Sequence, residues 1–135
     1  MNRFRTATVI FVLALWIVAG VFAASSSTSS ASNSSGGVTV KATYMTPQPQ
    51  SELRFEIVID THTVDLDGYD LQKLALLRDA GGKTYEPVKV DAKGSGHHRS
   101  AEIYFPRPTG GAQQVDLVIQ DIAGVKERVL HFHIS

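Results

Sequence analysis

The sequence predicts an all-β fold. Three observations carry that expectation. Beyond residue 38, apolar and polar residues alternate in short runs; turn-forming Gly, Pro and Asp residues separate the runs; and no long amphipathic helix interrupts them. Period-2 alternation is what a half-buried strand requires, because successive side chains point to opposite faces. About seven short strands in about 100 residues is the pattern of an immunoglobulin-like β-sandwich. Residues 1–24 read as a signal peptide or transmembrane anchor, residues 25–37 as a disordered Ser/Gly linker, and residues 38–135 as the sandwich.

Composition narrows the class. The chain has 135 residues, enough for one domain, and is 43% hydrophobic and 19% charged, which suits a folded protein. Thirteen Lys and Arg balance thirteen Asp and Glu, so there is no net basic field and nucleic acid is not an expected partner. With no Cys in the chain, disulfides, thiolate metal sites and cysteine nucleophiles are excluded.

The N-terminus carries a membrane signal. Arg3 and Arg5 precede residues 7–24, which are nearly all apolar, and the next basic residue is Lys41. Each buried methylene favours lipid by about 0.8 kcal/mol. Eighteen residues as a helix reach roughly 27 Å, nearly the ~30 Å of a hydrocarbon core. The positive charges lie before the segment, which puts the N-terminus in the cytoplasm and the domain outside. An uncleaved anchor and a signal peptide cut after Val21-Phe22-Ala23 both fit; the second would leave a secreted or periplasmic protein. The run Ser25 to Gly37 has no side chain larger than alanine that could bury apolar surface, so it reads as flexible coil, a tether between anchor and domain.

The strands follow in order. Val38, Val40, Ala42 and Tyr44 alternate, as do Leu53, Phe55, Ile57 and Ile59. A short apolar run covers Leu74 to Leu77. Tyr85, Val88 and Val90 make a weaker strand interrupted by Pro87. Ala101, Ile103 and Phe105 alternate, then Val115, Leu117 and Ile119, then Leu130, Phe132 and Ile134. Turns are expected at Thr46 to Pro49, Asp67-Gly68, Gly81-Gly82, Gly94 to Gly96, Pro106 to Gly111 and Ala123-Gly124. The only Trp is Trp16, so the buried Cys and Trp of antibody domains are absent.

Candidate chemistry gathers on histidines and aspartates. His62 ends a strand, and His97 and His98 follow a Gly-x-Gly run, so strand-end loops could bring them together. With Asp60 or Asp65 as an oxygen ligand or orienting group, they form a candidate zinc or copper site. The plain reading of the same loop is a hairpin turn with a solvated tip. His131 and His133 share one strand face, opposite Leu130, Phe132 and Ile134, and read as exposed polar residues. The acidic stretch from Asp60 to Asp70 lacks the spacing of an EF-hand loop, and its Asp and Thr residues suit turn capping. No Gly-x-Ser-x-Gly elbow, phosphate-binding Gly-rich loop or His-Glu-x-x-His is present, so no catalytic residue is assigned and no enzyme is expected.

At Asp60-Thr61-His62-Thr63-Val64-Asp65-Leu66, at Gly96-His97-His98-Arg99-Ser100 and at Asp121-Ile122-Ala123-Gly124-Val125, the chain resembles an uncharacterised group of prokaryotic exported or membrane-anchored proteins with a single small β-sandwich domain. The resemblance implies location and fold and carries over no functional residue. The expected function is a membrane-tethered, extracytoplasmic, non-catalytic binding module with an envelope protein as partner and no cofactor. A divalent-metal module for zinc or copper and a structural envelope spacer are the alternatives.

Overall fold

The computed structural model describes residues 29–45 and 52–134. The expected membrane segment at 7–24, the linker residues 25–28 and the turn at Thr46 to Pro49 lie outside the described residues. The described chain is all-β: nine strands in two antiparallel sheets that face one another as a sandwich. The strands are β1 (Ser29–Ser35), β2 (Val38–Met45), β3 (Glu52–Thr61), β4 (Ala75–Asp79), β5 (Thr84–Tyr85), β6 (Lys89–Ser95), β7 (His98–Pro106), β8 (Gln114–Ile122) and β9 (Val125–His133). One short helix, α1 (Leu71–Leu74), precedes β4; the Asp70 carboxylate caps it by accepting from the Gln72 amide. The first sheet runs β1-β2-β3-β7-β6 and the second β5-β4-β8-β9.

The alternating residues form the core as expected. Leu53, Phe55, Ile57 and Ile59 of β3 are buried, and so are Val115, Leu117 and Ile119 of β8 and Leu130 and Phe132 of β9. Phe55 is the centre of an aromatic cluster. Its ring lies 5.4 Å from Tyr44, 6.0 Å from Phe105 and 5.0 Å from Phe132, the last contact crossing from one sheet to the other. The Phe55 pairs with Phe105 and Phe132 are edge-to-face, the arrangement ring quadrupoles favour.

Two sequence expectations are corrected. Among the described residues the strands number nine rather than about seven: β1 is one addition, and the weak strand around Pro87 supplies the other, being two strands in different sheets, β5 paired with β4 and β6 with β7. Pro87 lacks the N–H a ladder needs, and the chain crosses the sandwich there. The second correction concerns the linker. Residues 29–35 are not coil but an edge strand, paired with β2 along its whole length. Gly36 and Gly37 close the hairpin with φ of 58° and 74°, the two positive values of a tight primed turn. A Cβ on Gly36 would lie 2.8 Å from the Ala123 carbonyl oxygen, so the turn accepts only glycine there. Ser30 and Ser34 bridge across the ladder to Thr43 and Thr39, hydroxyl to hydroxyl, at 2.9 and 2.8 Å.

Arg128 explains how a serine strand is held. Extending the β9 alternation back from Leu130 puts Arg128 on the core face, and it is 0% exposed. One guanidinium nitrogen donates to Asn33 Oδ1 at 3.1 Å and to the Val38 carbonyl at 3.2 Å. The other donates to the carbonyls of Ser35 at 2.9 Å and Ile122 at 3.2 Å. Burial pushes the Arg128 pKa down, with Tyr69 opposing. The side chain therefore ties β1 and the start of β2 to the end of β8.

Two outcomes are expected. Phe132→Ala removes the ring that joins the sheets and should cost ~3–5 kcal/mol, read as a fall in the urea midpoint. Arg128→Met keeps much of the volume and none of the donors. It should cost at least about 2 kcal/mol, and hydrogen exchange should show the β1–β2 amides losing protection before those of β3 and β7.

Candidate functional site

The candidate residues collect at one end of the sandwich, here the distal pole. The β1–β2 turn, the segment 62–70, the β6–β7 turn and the β8–β9 turn all lie there. The placement follows from the antiparallel ladders: β3 ends where β7 begins, with Asp60 opposite His98, and Ser95 also pairs with His98. The Gly-x-Gly run belongs to a two-residue hairpin rather than an open loop. Gly96 and His97 are its turn, and Gly96 has φ 66°. A Cβ on Gly94 would fall 2.5 Å from the His98 carbonyl oxygen. The plain reading of these glycines, hairpin geometry, is therefore the one observed.

The turns are bonded into one another. The amide of Thr61 donates to the His97 carbonyl at 3.0 Å and that of Leu66 to the Gly96 carbonyl at 2.9 Å. The Gly96 amide donates to the Asp67 carboxylate at 2.7 Å. Arg99 donates to the carbonyls of Leu66 and Tyr69 at 2.7 and 2.6 Å. The Thr61 hydroxyl donates to the Gly37 carbonyl at 2.7 Å, and the Tyr69 hydroxyl accepts from the Ala123 amide at 3.0 Å. Ala123 is held at φ 52°, a left-handed conformation that costs a residue with a Cβ, and this network keeps it there.

The acidic stretch is used locally. Asp65 accepts from the Asp67 amide, Asp67 caps the hairpin, and Asp70 caps α1. Asp60 pairs with His98, Oδ1 to Nδ1, at 2.6 Å across the β3–β7 ladder, with both side chains exposed. Of the five candidate metal ligands, the structure brings together only these two. His62 and His97 are exposed at the same pole, and Asp65 is turned into its own loop. Among the described residues no group of three or more His, Asp or Glu side chains is disposed to hold a metal ion. His131 and His133 face solvent as expected, and His131 repeats the cross-strand pairing with Asp116 at 2.6 Å. Sequence reasoning missed Arg99 and Arg128, the two cations that anchor the pole through backbone carbonyls. A charge at a core-facing position of an alternating strand was the available signal for Arg128.

Two carboxylates elsewhere are perturbed. The Tyr104 hydroxyl at 2.9 Å and the Arg54 guanidinium at 2.8 Å hold the Glu102 carboxyl below the usual range, against a smaller effect of burial. Burial pushes the Asp79 carboxyl up, but hydrogen bonds from the Lys83 amide, the Tyr85 hydroxyl and the Gly81 amide outweigh it, and the net direction is down. A carboxyl with a lowered folded-state pKa contributes stability above its unfolded value of about 4 and loses it as pH falls through the folded value. The urea midpoint should therefore drop between pH 6 and pH 3. In a Glu102→Gln/Asp79→Asn variant it should drop less.

Comparison of the chain with protein-family models, with curated proteins and with solved structures finds no match.

Proposed function

We propose that this chain is a membrane-anchored, extracytoplasmic binding module. Residues 7–24 span the bilayer, an immunoglobulin-like sandwich stands outside, and the distal pole recognises a partner without catalysis. The observation that carries the reading is the construction of that pole. Its backbone is cross-bonded by Arg99, Arg128, Thr61 and Asp67, while His62, Asp65, His97 and the Asp60–His98 pair remain exposed on it. A rigid scaffold that displays polar side chains loses little conformational entropy on binding, the property of a recognition surface.

The strand order supports the immunoglobulin-like part of the reading. The series β2-β3-β7-β6 against β5-β4-β8-β9 corresponds to the A-B-E-D and C′-C-F-G arrangement, with β1 added beside the first strand. The apolar run after Arg3 and Arg5 supports the anchor; among the described residues no helix is long and apolar enough to cross a membrane. An envelope protein is the class of partner that a polar, hydrogen-bonding pole suits. Zinc or copper delivery has less support, because Asp60 and His98 supply two ligands where three or four are needed.

The test is site-specific photo-crosslinking of the full chain in the cells that make it. Crosslinkers replacing His62, Asp65 and His97 should each give the same adduct, and crosslinkers at Ser32 and Lys41, on the side of the first sheet, should not give it. No adduct from the distal positions would leave the spacer reading. In the same cells the protein should resist carbonate extraction from membranes and retain residues 1–24 by mass. A soluble form beginning near Ala24 would replace the anchor with a cleaved signal.

A further inference from the structure

Among the described strands four lie at sheet edges, β1 and β6 in the first sheet and β5 and β9 in the second. An edge strand offers unpaired N–H and C=O groups to any further strand, and proteins usually block it with charge, proline, a bulge or shortness. β5 has only two residues. β6 follows Pro87 and carries Lys89, Asp91 and Lys93, and β9 carries Lys126, Glu127, His131 and His133. β1 has none of these devices. Its seven residues include no charge and no proline, and they pair with β2 in unbroken register.

The hairpin fixes which groups of β1 face outward. Gly36 and Gly37 form a two-residue turn, so Ser35 and Val38 exchange hydrogen bonds, as do Asn33 with Val40, Ala31 with Ala42 and Ser29 with Tyr44. The pairs between these bring side chains close together, which is why the Ser30–Thr43 and Ser34–Thr39 hydroxyls meet at 2.9 and 2.8 Å. The N–H and C=O groups of Ser30, Ser32 and Ser34 therefore point out of the edge, and no backbone bond among the described residues uses them. The side chains of all three are exposed. This outward set is symmetric about Ser32. An antiparallel copy centred there sets Ser32 against its counterpart and Ser30 against Ser34, so every outward group of both strands meets a partner. The same register lays the Ser30–Thr43 hydroxyl pair of one copy beside the Ser34–Thr39 pair of the other. Each pair spends one of its two hydroxyl protons internally and keeps the other to donate.

We propose that β1 pairs antiparallel with β1 of a second copy, with the two-fold axis at Ser32, and joins the two five-stranded sheets into one of ten strands. The occupant is a second copy because the edge has no charge or side-chain pocket that would select another sequence, while its outward groups match their own reversal. The assembly closes at two, since the remaining edge of each joined sheet is β6 with its lysines. Seven residues make a small contact beside the ~1,200–2,000 Å² of a stable interface, so the pair forms and parts readily. The inference goes beyond the recognition reading and does not depend on it, since the ladder uses none of the side chains displayed on the distal pole. The two Ser29 residues end roughly 20 Å apart, six residues of ladder at ~3.4 Å each, so chains anchored in one bilayer can form the pair with the joined sheet along the membrane surface.

The chain has no native cysteine, so single substitutions in the full chain, in the cells that make it, read the register directly. Facing residues of a hydrogen-bonded pair have Cα atoms ~5.5 Å apart, within the ~4.4–6.8 Å that a disulfide spans. Ser32→Cys should therefore give a disulfide-linked dimer under mild oxidation. Ser30→Cys and Ser34→Cys should give none when expressed singly, each lying about 14 Å from its own counterpart, four residues at ~3.4 Å. Expressed together, those two should link to each other. Lys41→Cys, one strand further in, should give none. No dimer from Ser32→Cys, or dimers at positions 30, 34 and 41 as abundant as at 32, overturn the pairing. Two further changes are placed in the co-expressed Ser30→Cys and Ser34→Cys chains. Ser32→Pro removes an outward N–H and leaves the β1–β2 ladder its bonds, a substitution that edge strands accept. Ser32→Lys keeps every backbone group and sets two ammonium groups opposite each other. Each should cut the linked fraction several-fold, and an undiminished fraction in either overturns the proposal.

Discussion

Arg128 is the side chain on which the order of the polar half of this fold depends. A guanidinium cannot shed its charge to enter a core, so burying one is tolerated only where oxygen atoms surround it. Here they come from four places: a side chain of β1, the last residue of β1, the first of β2 and the end of β8. Meeting the needs of one cation brings the β1–β2 and β8–β9 turns into contact, Gly36 against Ala123. A strand of serines has almost nothing apolar to offer the core beyond Ala31. It is ordered because its backbone pairs with β2 and its oxygens accept from both terminal nitrogens of Arg128, whose Nε stays buried without a partner.

That dependence explains what was legible in the sequence and what was not. β3, β8 and β9 alternate large apolar residues with polar ones, and their core faces follow directly from the pattern, down to Phe55 meeting Phe132 across the sheets. β1 obeys the same period, but with Ser29, Ala31 and Asn33 inward and Ser30, Ser32 and Ser34 outward, residues too small or too polar for hydrophobic patterning to register. The usable signal was the pair Gly36-Gly37 immediately before an alternating strand, the chemistry of a two-residue hairpin whose first arm must also be a strand. The split at Pro87 was half visible. Proline marked an interruption, but nothing local shows that β5 and β6 belong to opposite sheets, since that choice is made by which long-range partner each strand meets.

The candidate site was legible as a location and not as a ligand set. The strand end at His62 was read from alternation and that at His98 from the Gly94-Ser95-Gly96 run before an alternating strand, and the antiparallel ladder puts both at one pole. What the sequence could not supply is the demand the backbone makes on the carboxylates. Tight turns leave amides unpaired, and Asp65, Asp67 and Asp70 are spent on them. Asp60 and His98 meet because register places them opposite each other, and the same register turns Thr61 inward to bond Gly37 rather than outward toward a third ligand.

The cost of building the pole this way bears on the choice between a recognition module and a passive spacer. A spacer needs height and solubility, which nine paired strands provide without help. Holding Ala123 in a left-handed conformation, burying a cation and excluding side chains from Gly36 and Gly94 are all unfavourable taken singly, and height requires none of them. They occur together at one end of the domain, where the β1–β2, β6–β7 and β8–β9 turns meet the segment 62–70. Strain concentrated at one end of a sandwich fixes the shape of that surface, and a fixed shape is what the proposed recognition role uses and a spacer does not need.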